Sequence, residues 1–223
     1  MSQALYDVLR EHLTPRKQEL FEKIVLQRTR HIALVLEDTY QTHNSSAIAR
    51  SMESWGIQDL YTIENTHSFH LHRRIARGAY DWLTVHRYHE STNNSMQCIH
   101  DLKAKGYKII ATALHQQAVP MEELNIEQKT AIVMGTELTG VSAEILELAD
   151  EKVVVPMVGF TESLNVSVAA SVIIQHLSHR LRKSNINWQL SAEEMLELKI
   201  DWARKSIKWS DYLVEMFEKG EIK

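Results

Sequence analysis

The sequence of 223 residues contains one cysteine, three prolines and seven glycines. The single cysteine, Cys98, cannot form an internal disulfide, and its isolation excludes a cysteine-rich zinc site. No run of about 18 apolar residues occurs, so the sequence predicts no membrane-spanning helix. The first residues, MSQALYDVLREHL, mix charged and apolar side chains and lack the pattern of a signal peptide. These absences together predict a cytoplasmic protein.

The common nucleotide-binding and nucleophile motifs are also missing. The sequence has no G-x-G-x-x-G, no G-x-x-x-x-G-K-[ST] and no G-x-S-x-G. His67, His70 and His72 lie close together in HSFHLH, but no cysteine or adjacent carboxylate completes a set of metal ligands. We therefore expect no metal, and we interpret this histidine-rich segment as a polar loop.

The charge of the chain does not by itself favour nucleic acid as a partner. The net charge is −4 with histidine neutral, whereas nucleic-acid-binding domains are usually basic. Basic residues nevertheless concentrate in three clusters, which are RTRH (28–31), HRRIAR (72–77) and HRLRK (179–183). Because such clusters are commonly only solvated surface, the composition leaves RNA binding open.

Short apolar runs that alternate with helical patterns indicate an α/β fold with a mostly parallel sheet flanked by helices. The predicted strands are IALVL (32–36), DLYTIE (59–64), YKIIATAL (107–114), TAIVM (130–134) and KVVVP (152–156). The predicted helices between and after them cover 45–55, 94–105, 142–149 and 165–183. The continuous apolar runs are typical of strands that are buried on both faces.

Both ends of the chain show helical patterns without strands. An amphipathic pattern predicts a helical extension over residues 3–29. Near the other end, Ser191 and Glu194 form a capping box, and one long helix is predicted over 192–219. The predicted division is therefore an N-terminal helical extension (1–30), a central domain (31–185) and a C-terminal helical extension (186–223).

Three stretches place polar residues and often glycine just past a predicted strand, where ligands bind in open α/β sheets. They are HNSSAIARS (43–51), GTELTGVS (135–142) and VVVPMVGFTESLNVSVAASVIIQHL (153–177). Asn44 could cap the helix that follows it, but capping does not explain Arg50. Glu137 lies between two glycines, either as a solvated turn residue or as a carboxylate held at the sheet edge. Thr161 or Ser163 could cap the last helix.

In this order the three stretches resemble the signature motifs of the SpoU (TrmH-type) RNA 2′-O-ribose methyltransferases of the SPOUT superfamily. The family's first motif pairs an asparagine with an arginine six residues later, as at Asn44 and Arg50. The second is G-x-E-x-x-G (135–140), and the third is a proline-to-alanine run with Ser-Leu-Asn at its centre (155–169). The resemblance spans about 31–183. It departs from the usual pattern where Ser46 replaces a common glycine and Ser51 a common threonine.

The resemblance implies an activity, a cofactor and partners. The implied reaction transfers a methyl group from S-adenosylmethionine to a ribose 2′-hydroxyl of tRNA. The lengths of the helical ends suit the branch that acts on the D-loop guanosine at position 18. A C-terminal trefoil knot, a homodimer and the absence of metal are implied as well. Two alternatives stay open: 2′-O-methylation of ribosomal RNA, and a catalytically inactive SPOUT protein that only binds RNA.

The resemblance also assigns roles to residues. In the family the motif-one arginine activates the hydroxyl. Because arginine is effectively always protonated, we expect Arg50 instead to bind a phosphate and stabilise the developing alkoxide. The other implied reaction-centre residues are Asn44, Glu137, Ser163 and Asn165. Implied cofactor contacts, mainly through the backbone, are Thr112, Gly135, Val155 and Leu164. The residues expected to meet tRNA phosphates are Arg28, Arg30, Arg73, Arg74, Arg77, Arg180 and Arg182.

Overall fold

The computed structural model describes residues 2–114 and 118–222, and the side chain of Arg73 lies outside the described part. The strands are β1 (Ile32–Glu37), β2 (Asp59–Ile63), β3 (Thr84–Tyr88), β4 (Lys108–Thr112), β5 (Val119–Pro120), β6 (Thr130–Met134) and β7 (Glu151–Val154). The helices are α1 (Gln3–Glu11), α2 (Pro15–Val25), α3 (Thr42–Ser54), α4 (Arg73–Ala76), α5 (Asn94–Ala104), α6 (Ala143–Leu148), α7 (Val166–Lys183), α8 (Ala192–Ser206) and α9 (Ser210–Glu218), with a 3-10 helix at Ala79–Trp82. Within these ranges, no helix is both long enough and apolar enough to cross a bilayer.

The chain divides into two compact units, Arg30–Trp188 and the combination of Met1–Thr29 with Gln189–Lys223. The first unit contains a seven-stranded parallel sheet of order β3-β2-β1-β6-β4-β7-β5. The chain builds β2 and β3 on one side of β1 and then crosses to the other side for the remaining strands. The carboxyl ends of β1 and β6 therefore flank a switch point, where open α/β sheets form a ligand-binding crevice.

Helices cover both faces of this sheet. Alternate residues of β1 point to opposite faces, with Leu34 on one side and Val35 on the other. Leu34 packs in a buried cluster with residues of α3 and α7, and Val35 in a second cluster with residues of α5 and α6. Since both faces are covered, every side chain of β1 and β6 is buried. This burial explains the continuous apolar runs in the sequence and confirms the predicted α/β class.

The predicted elements of the central domain lie within a few residues of the observed ones, but two strands were missed, β3 and the two-residue β5. β3 (TVHRY) forms the edge of the sheet next to β2, and its residues are only partly buried or exposed. An edge strand with one neighbour does not require a continuous apolar run, so its sequence carries little signal. The histidine-rich segment before it is a loop, as predicted.

The second unit consists of α1, α2, α8 and α9. Trp202 of α8 is buried, with the ring of Phe21 at 5.5 Å and the Arg28 guanidinium 6.0 Å from its own ring. Ser191 and Glu194 form the capping box that was predicted at the start of α8. Full burial of a large aromatic side chain contributes roughly 1.5–3 kcal/mol or more, so Trp202 is a principal source of stability for this unit.

The prediction of one long C-terminal helix over 192–219 is wrong, because the chain turns between α8 and α9. Ile207 ends α8 in an extended conformation and buries its side chain. The hydroxyl of Ser210 then donates to the carbonyl of Arg204 at 2.9 Å, which satisfies a helix-end acceptor. Trp209, at the turn, is half-exposed, and its ring lies 4.6 Å from that of His12.

Candidate active site at the carboxyl ends of the strands

A cavity of about 370 Å³ opens at the carboxyl ends of the central strands. The residues that line it include all four expected cofactor contacts and two of the expected reaction-centre residues, namely Thr112, Gly135, Val155, Leu164, Glu137 and Ser163. Most of the lining is apolar with a few polar groups, and both the size and the lining are typical of small-molecule sites. The structure thus brings these residues, which come from three separate segments, to one place.

The loop after β6 is a tight hairpin, and its glycines are needed for its shape. Thr136 and Gly140 exchange backbone hydrogen bonds of 3.0 Å in both directions. Gly140 adopts a positive φ of 69°, which favours glycine. A Cβ on Gly135 would come within 2.0 Å of the Gly140 backbone, so no side chain fits there. The hairpin holds Glu137 at its tip, which favours the second interpretation of the glutamate over a freely solvated turn residue.

Three amide and carboxylate side chains connect the three motifs. The Nδ2 group of Asn165 donates to Oδ1 of Asn44 at 3.2 Å, and Nδ2 of Asn44 donates to the carboxylate of Glu137. Oδ1 of Asn165 accepts the backbone N–H groups of Ser167 and Val168, at 2.9 and 3.3 Å. Because the helix cap occupies the oxygen of Asn165, its NH2 group must face Asn44. The cap of α7 therefore sets the direction of the whole chain of hydrogen bonds.

This geometry corrects two predicted helix caps. Helix α3 begins at Thr42 with Gln41 in the capping position, so Asn44 lies inside the first turn and does not cap it. Asn165, rather than Thr161 or Ser163, caps α7. The asparagine side chain directly precedes the helix and reaches two free N–H groups, whereas Ser163 lies two residues earlier and lines the cavity.

Arg50 is not joined to this network within one chain. It is exposed on α3, and no hydrogen bond or ion pair engages its guanidinium among the described residues. Six residues of helix rotate the side-chain direction by about 240° and advance it by about 9 Å, so Arg50 and Asn44 point different ways. Its neighbour Ser51 bonds instead to Ser171 of α7, with the hydroxyl oxygens 2.7 Å apart. The guanidinium is left available for an external anion.

Part of the predicted RNA-binding set is engaged within the chain. Arg28 is only 1% exposed and lies over the Trp202 ring, so it presents no surface to a phosphate. Arg180 donates to the carbonyls of Met121 and Leu124, at 3.0 and 2.8 Å, and so holds the 121–124 turn.

Arg182 is likewise engaged within the chain. Its guanidinium lies 4.7 Å from the centre of the Trp188 ring and donates to the carbonyl of Trp55 at 3.2 Å. Burial lowers the pKa of Arg182. Sequence clusters alone could not separate these packed arginines from surface ones, because a guanidinium can satisfy its donors on carbonyls and aromatic rings as readily as on phosphates.

The remaining arginines of the predicted set differ in exposure. Arg74 and Arg77 are exposed. Arg30 is mostly buried, with Nε 3.4 Å from the Asp59 carboxylate. The predicted contact at Arg73 lies outside the described residues because its side chain is not placed. Among the described arginines of the predicted set, Arg74 and Arg77 of the HRRIAR cluster therefore present cationic surface to the solvent.

Comparison with known proteins gives a consistent result. The sequence model described as the SpoU rRNA Methylase family matches residues 31–175. A Borreliella burgdorferi protein named tRNA (guanosine(18)-2′-O)-methyltransferase is 38% identical over 201 residues, which are 90% of each chain. The solved structure of the A. aeolicus TrmH/SpoU tRNA modifying enzyme matches with a TM-score of 0.76 and 29% identity, over 86% of this chain and 97% of that one. The fold also matches AviRb from Streptomyces viridochromogenes in complex with AdoMet, with a TM-score of 0.60 and 21% identity over 70% of this chain and 63% of that one.

The close approach in the hairpin yields a first prediction. Gly135→Ala should destabilise the protein by about 3 kcal/mol, because the added methyl group would meet backbone atoms, which cannot move aside like a side chain. Gly159→Ala is the matched control, since open space surrounds that position, and it should change stability by less than about 0.5 kcal/mol. Urea unfolding followed by circular dichroism measures both variants. Equal stability of the two would contradict the close packing of this loop.

Proposed function

Because the chain belongs to the SpoU rRNA methylase family, we propose that it transfers a methyl group from S-adenosylmethionine to the ribose 2′-hydroxyl of guanosine 18 in the tRNA D-loop. The observation that carries the proposal is the cavity beside the Asn165–Asn44–Glu137 network, which unites the three motifs. The tRNA specificity is supported by a relative named for this reaction that aligns over 90% of the chain. Ribosomal RNA is the alternative substrate.

The residues present fit S-adenosylmethionine. Apolar side chains such as Leu164 and Val155 line the cavity, and it is large enough for a nucleoside with a short tail. The polar residues Thr112, Glu137 and Ser163 also line it. When bound, the cofactor supplies an electrophilic methyl group on a sulfonium sulfur. The chain itself must therefore align the hydroxyl and assist removal of its proton.

The network gives Asn44, Glu137 and Asn165 a positioning role. Each amide has its orientation set by a neighbour, so the group at the cavity edge is pre-organised before the substrate arrives. Arg50 supplies the positive charge that the developing alkoxide and an adjacent phosphate require. The hydroxyl of Ser163 completes the polar lining.

We also infer that two copies of the chain form a homodimer through the loops beside the cavity. Val158 and Phe160 are fully exposed, and Leu138 and Val168 are largely or half exposed. Large apolar side chains grouped around a site and open to water usually mark an interface. The separation of Arg50 from the network within one chain supports a site that a second copy completes. A trefoil knot around the third motif and a cytoplasmic location, where tRNA is modified, are part of the same proposal.

The first test is direct. Incubation with S-adenosylmethionine carrying a labelled methyl group should transfer label to bulk tRNA and not to bulk ribosomal RNA. A tRNA transcript with 2′-deoxyguanosine at position 18 should accept no label, because the acceptor oxygen is missing. Transfer to ribosomal RNA alone would establish the alternative substrate. RNA binding without any transfer would establish the inactive RNA-binding alternative.

Arg50→Ala should lower the single-turnover rate of methyl transfer by about 10²–10³-fold, the usual cost of losing one donor at a developing oxyanion. Cofactor affinity, measured by calorimetry, should stay unchanged because Arg50 does not line the cavity. Arg50→Lys keeps the charge but loses the two-pronged geometry, so its rate should fall between the two. If the alanine variant kept more than about a tenth of the wild-type rate, Arg50 would have no such role.

The homodimer is tested by sedimentation at micromolar concentration. The wild-type chain should sediment as a dimer and Phe160→Asp as a monomer, because a buried aspartate would oppose the apolar contact. Met96→Asp is the control, because Met96 is also a large apolar residue. It is half exposed and lies on α5. Mixing inactive Arg50→Ala and Asn165→Ala chains should restore part of the activity if the site is shared. A monomeric wild-type chain would exclude the interface.

A further inference from the structure

Two exposed pairs of aromatic rings lie beside the crevice that contains Asn44 and Glu137. We propose that these rings form a stacking platform for unpaired bases of the substrate RNA next to the nucleotide that is methylated. The inference rests on the proposed function, since it concerns how that same site holds its RNA. We call the four residues the aromatic platform: Tyr40, His43, His67 and His72.

The rings are paired and face the solvent. Tyr40 and His67 have ring centres 5.5 Å apart, and His43 and His72 have ring centres 5.6 Å apart and nearly parallel planes at 27°. All four residues are exposed. Unpaired RNA bases are commonly bound by stacking on such rings, histidine included, because every base offers a flat face.

The platform adjoins the reaction centre. Tyr40 lines a narrow crevice together with Asn44 and Glu137, the residues that link the first two motifs. His43 directly precedes Asn44 on α3. A base stacked on Tyr40 or His43 would therefore belong to the target nucleotide or to one of its immediate neighbours.

The loop that carries two of these rings is held in place by polar contacts. The carboxylate of Asp38 accepts the backbone N–H groups of Asn65, Thr66 and His67, at 2.8, 2.7 and 3.2 Å. The backbone N–H of His72 donates to the hydroxyl of Ser46 at 2.7 Å. Asp38 itself has a positive φ of 48°, an uncommon conformation for a residue other than glycine.

Apolar side chains anchor the same loop from below. Phe69 is buried and Leu71 packs against the core, whereas His67, His70 and His72 are exposed. A loop that only connected two elements at the surface would not need both anchors. The arrangement instead presents rings in a set direction, which lowers the entropy cost of binding a base.

The charges around the platform favour RNA over a basic partner. Asp38 is engaged by three N–H groups, and Glu64 forms a two-pronged pair with Arg87 at 2.7 and 2.6 Å. Burial alone would raise the pKa of Glu64, but the hydrogen bonds from Arg87 and Phe69 outweigh it and lower that pKa. Both carboxylates are therefore already engaged by donors within the chain.

The cationic surface beyond the rings continues in the same direction. A groove of about 610 Å³ extends along the loop and α4, lined by His70, Leu71, Arg77, Tyr80 and Arg87, with Asp81 as its acidic member. Arg77 lines this groove, and both it and Arg74 of α4 are exposed. Flat rings interleaved with arginines suit a nucleotide chain, whose bases stack while its phosphates meet cations.

The first test measures binding of unmodified tRNA transcripts to the full-length protein. Tyr40→Ala and His67→Ala should each weaken binding about fivefold or more, the effect of losing one stacking partner. Tyr40→Phe should bind like the wild type, because the ring is kept. His100→Ala is the matched control, as this imidazole is exposed on α5 away from the loop. Cofactor affinity should not change in any of these variants.

Salt dependence separates stacking from charge. Tyr40→Ala should leave the slope of log K against log salt unchanged, because no phosphate contact is removed. Arg74→Gln should lower that slope by about 0.7–0.9. Asp38→Ala should reproduce the loss of tRNA affinity by releasing the loop, and Asp38→Asn, which keeps an acceptor oxygen, should restore part of it.

The decisive experiment uses tRNA transcripts with an abasic nucleotide at each D-loop position in turn. If a base stacks on the platform, a transcript that lacks this base should bind the wild-type protein more weakly. Its binding to the double variant Tyr40→Ala/His67→Ala should not change. Independent, additive losses at every position would overturn the proposal. Conversion of the double variant to a monomer in sedimentation would also overturn it, and would assign the rings to the interface between two copies.

The outcome is distinguishable from failure of the proposed function. A wild-type protein that methylates guanosine 18 while the ring variants bind tRNA normally would refute only the platform. The wild-type protein could instead transfer no methyl group, while an abasic nucleotide weakens RNA binding to the wild type but not to the double variant. That result would refute only the proposed reaction.

Discussion

The parallel pairing of β1 with β6 is the constraint on which the rest of this site depends. Leu36 lies opposite Met134 in the register, so the two strands end side by side and their following loops start at adjacent points. Glu37 strengthens this arrangement, because its carboxylate accepts the backbone N–H of Ser142 at 2.9 Å and the hydroxyl of Ser95 at 3.2 Å. The first and second motifs are about ninety residues apart along the chain. They are neighbours in space because β1 and β6 end side by side.

The third motif joins the other two through a helix cap. Asn165 satisfies the free N–H groups at the start of α7 with its oxygen, which leaves its NH2 group to fix Asn44 and through it Glu137. One side chain thus serves both the fold and the site. Because the same amide stabilises α7, changes at Asn165 affect structure and chemistry together, whereas the guanidinium of Arg50 forms no hydrogen bond or ion pair with the part of the chain that the structure describes.

The position of charge explains how a protein of net charge −4 can hold RNA. The acidic groups closest to the aromatic platform accept hydrogen bonds from backbone N–H groups, from Arg87 or from Asn44, and the buried arginines are satisfied by carbonyls and tryptophan rings. The exposed residues of this region include the four rings and the cationic side chains of Arg74 and Arg77. Affinity for RNA is then set by a local surface and by stacking, not by the overall charge.

The strand runs, the parallel α/β class and the three motifs were determined by the sequence itself, because burial on both faces of a sheet demands continuous apolar residues and tight loops demand glycine at particular positions. Which arginines are free, which residue caps α7 and where the C-terminal helix breaks were decided only by the tertiary structure. Arg28 and Arg74 are the same residue type in the sequence, yet Arg28 is buried over the ring of Trp202 and Arg74 is exposed. The histidine-rich loop shows the same limit. Its spacing alone indicated a polar loop, and the contacts that hold it, from the carboxylate of Asp38 and from the core around Phe69 and Leu71, join segments that are distant in sequence.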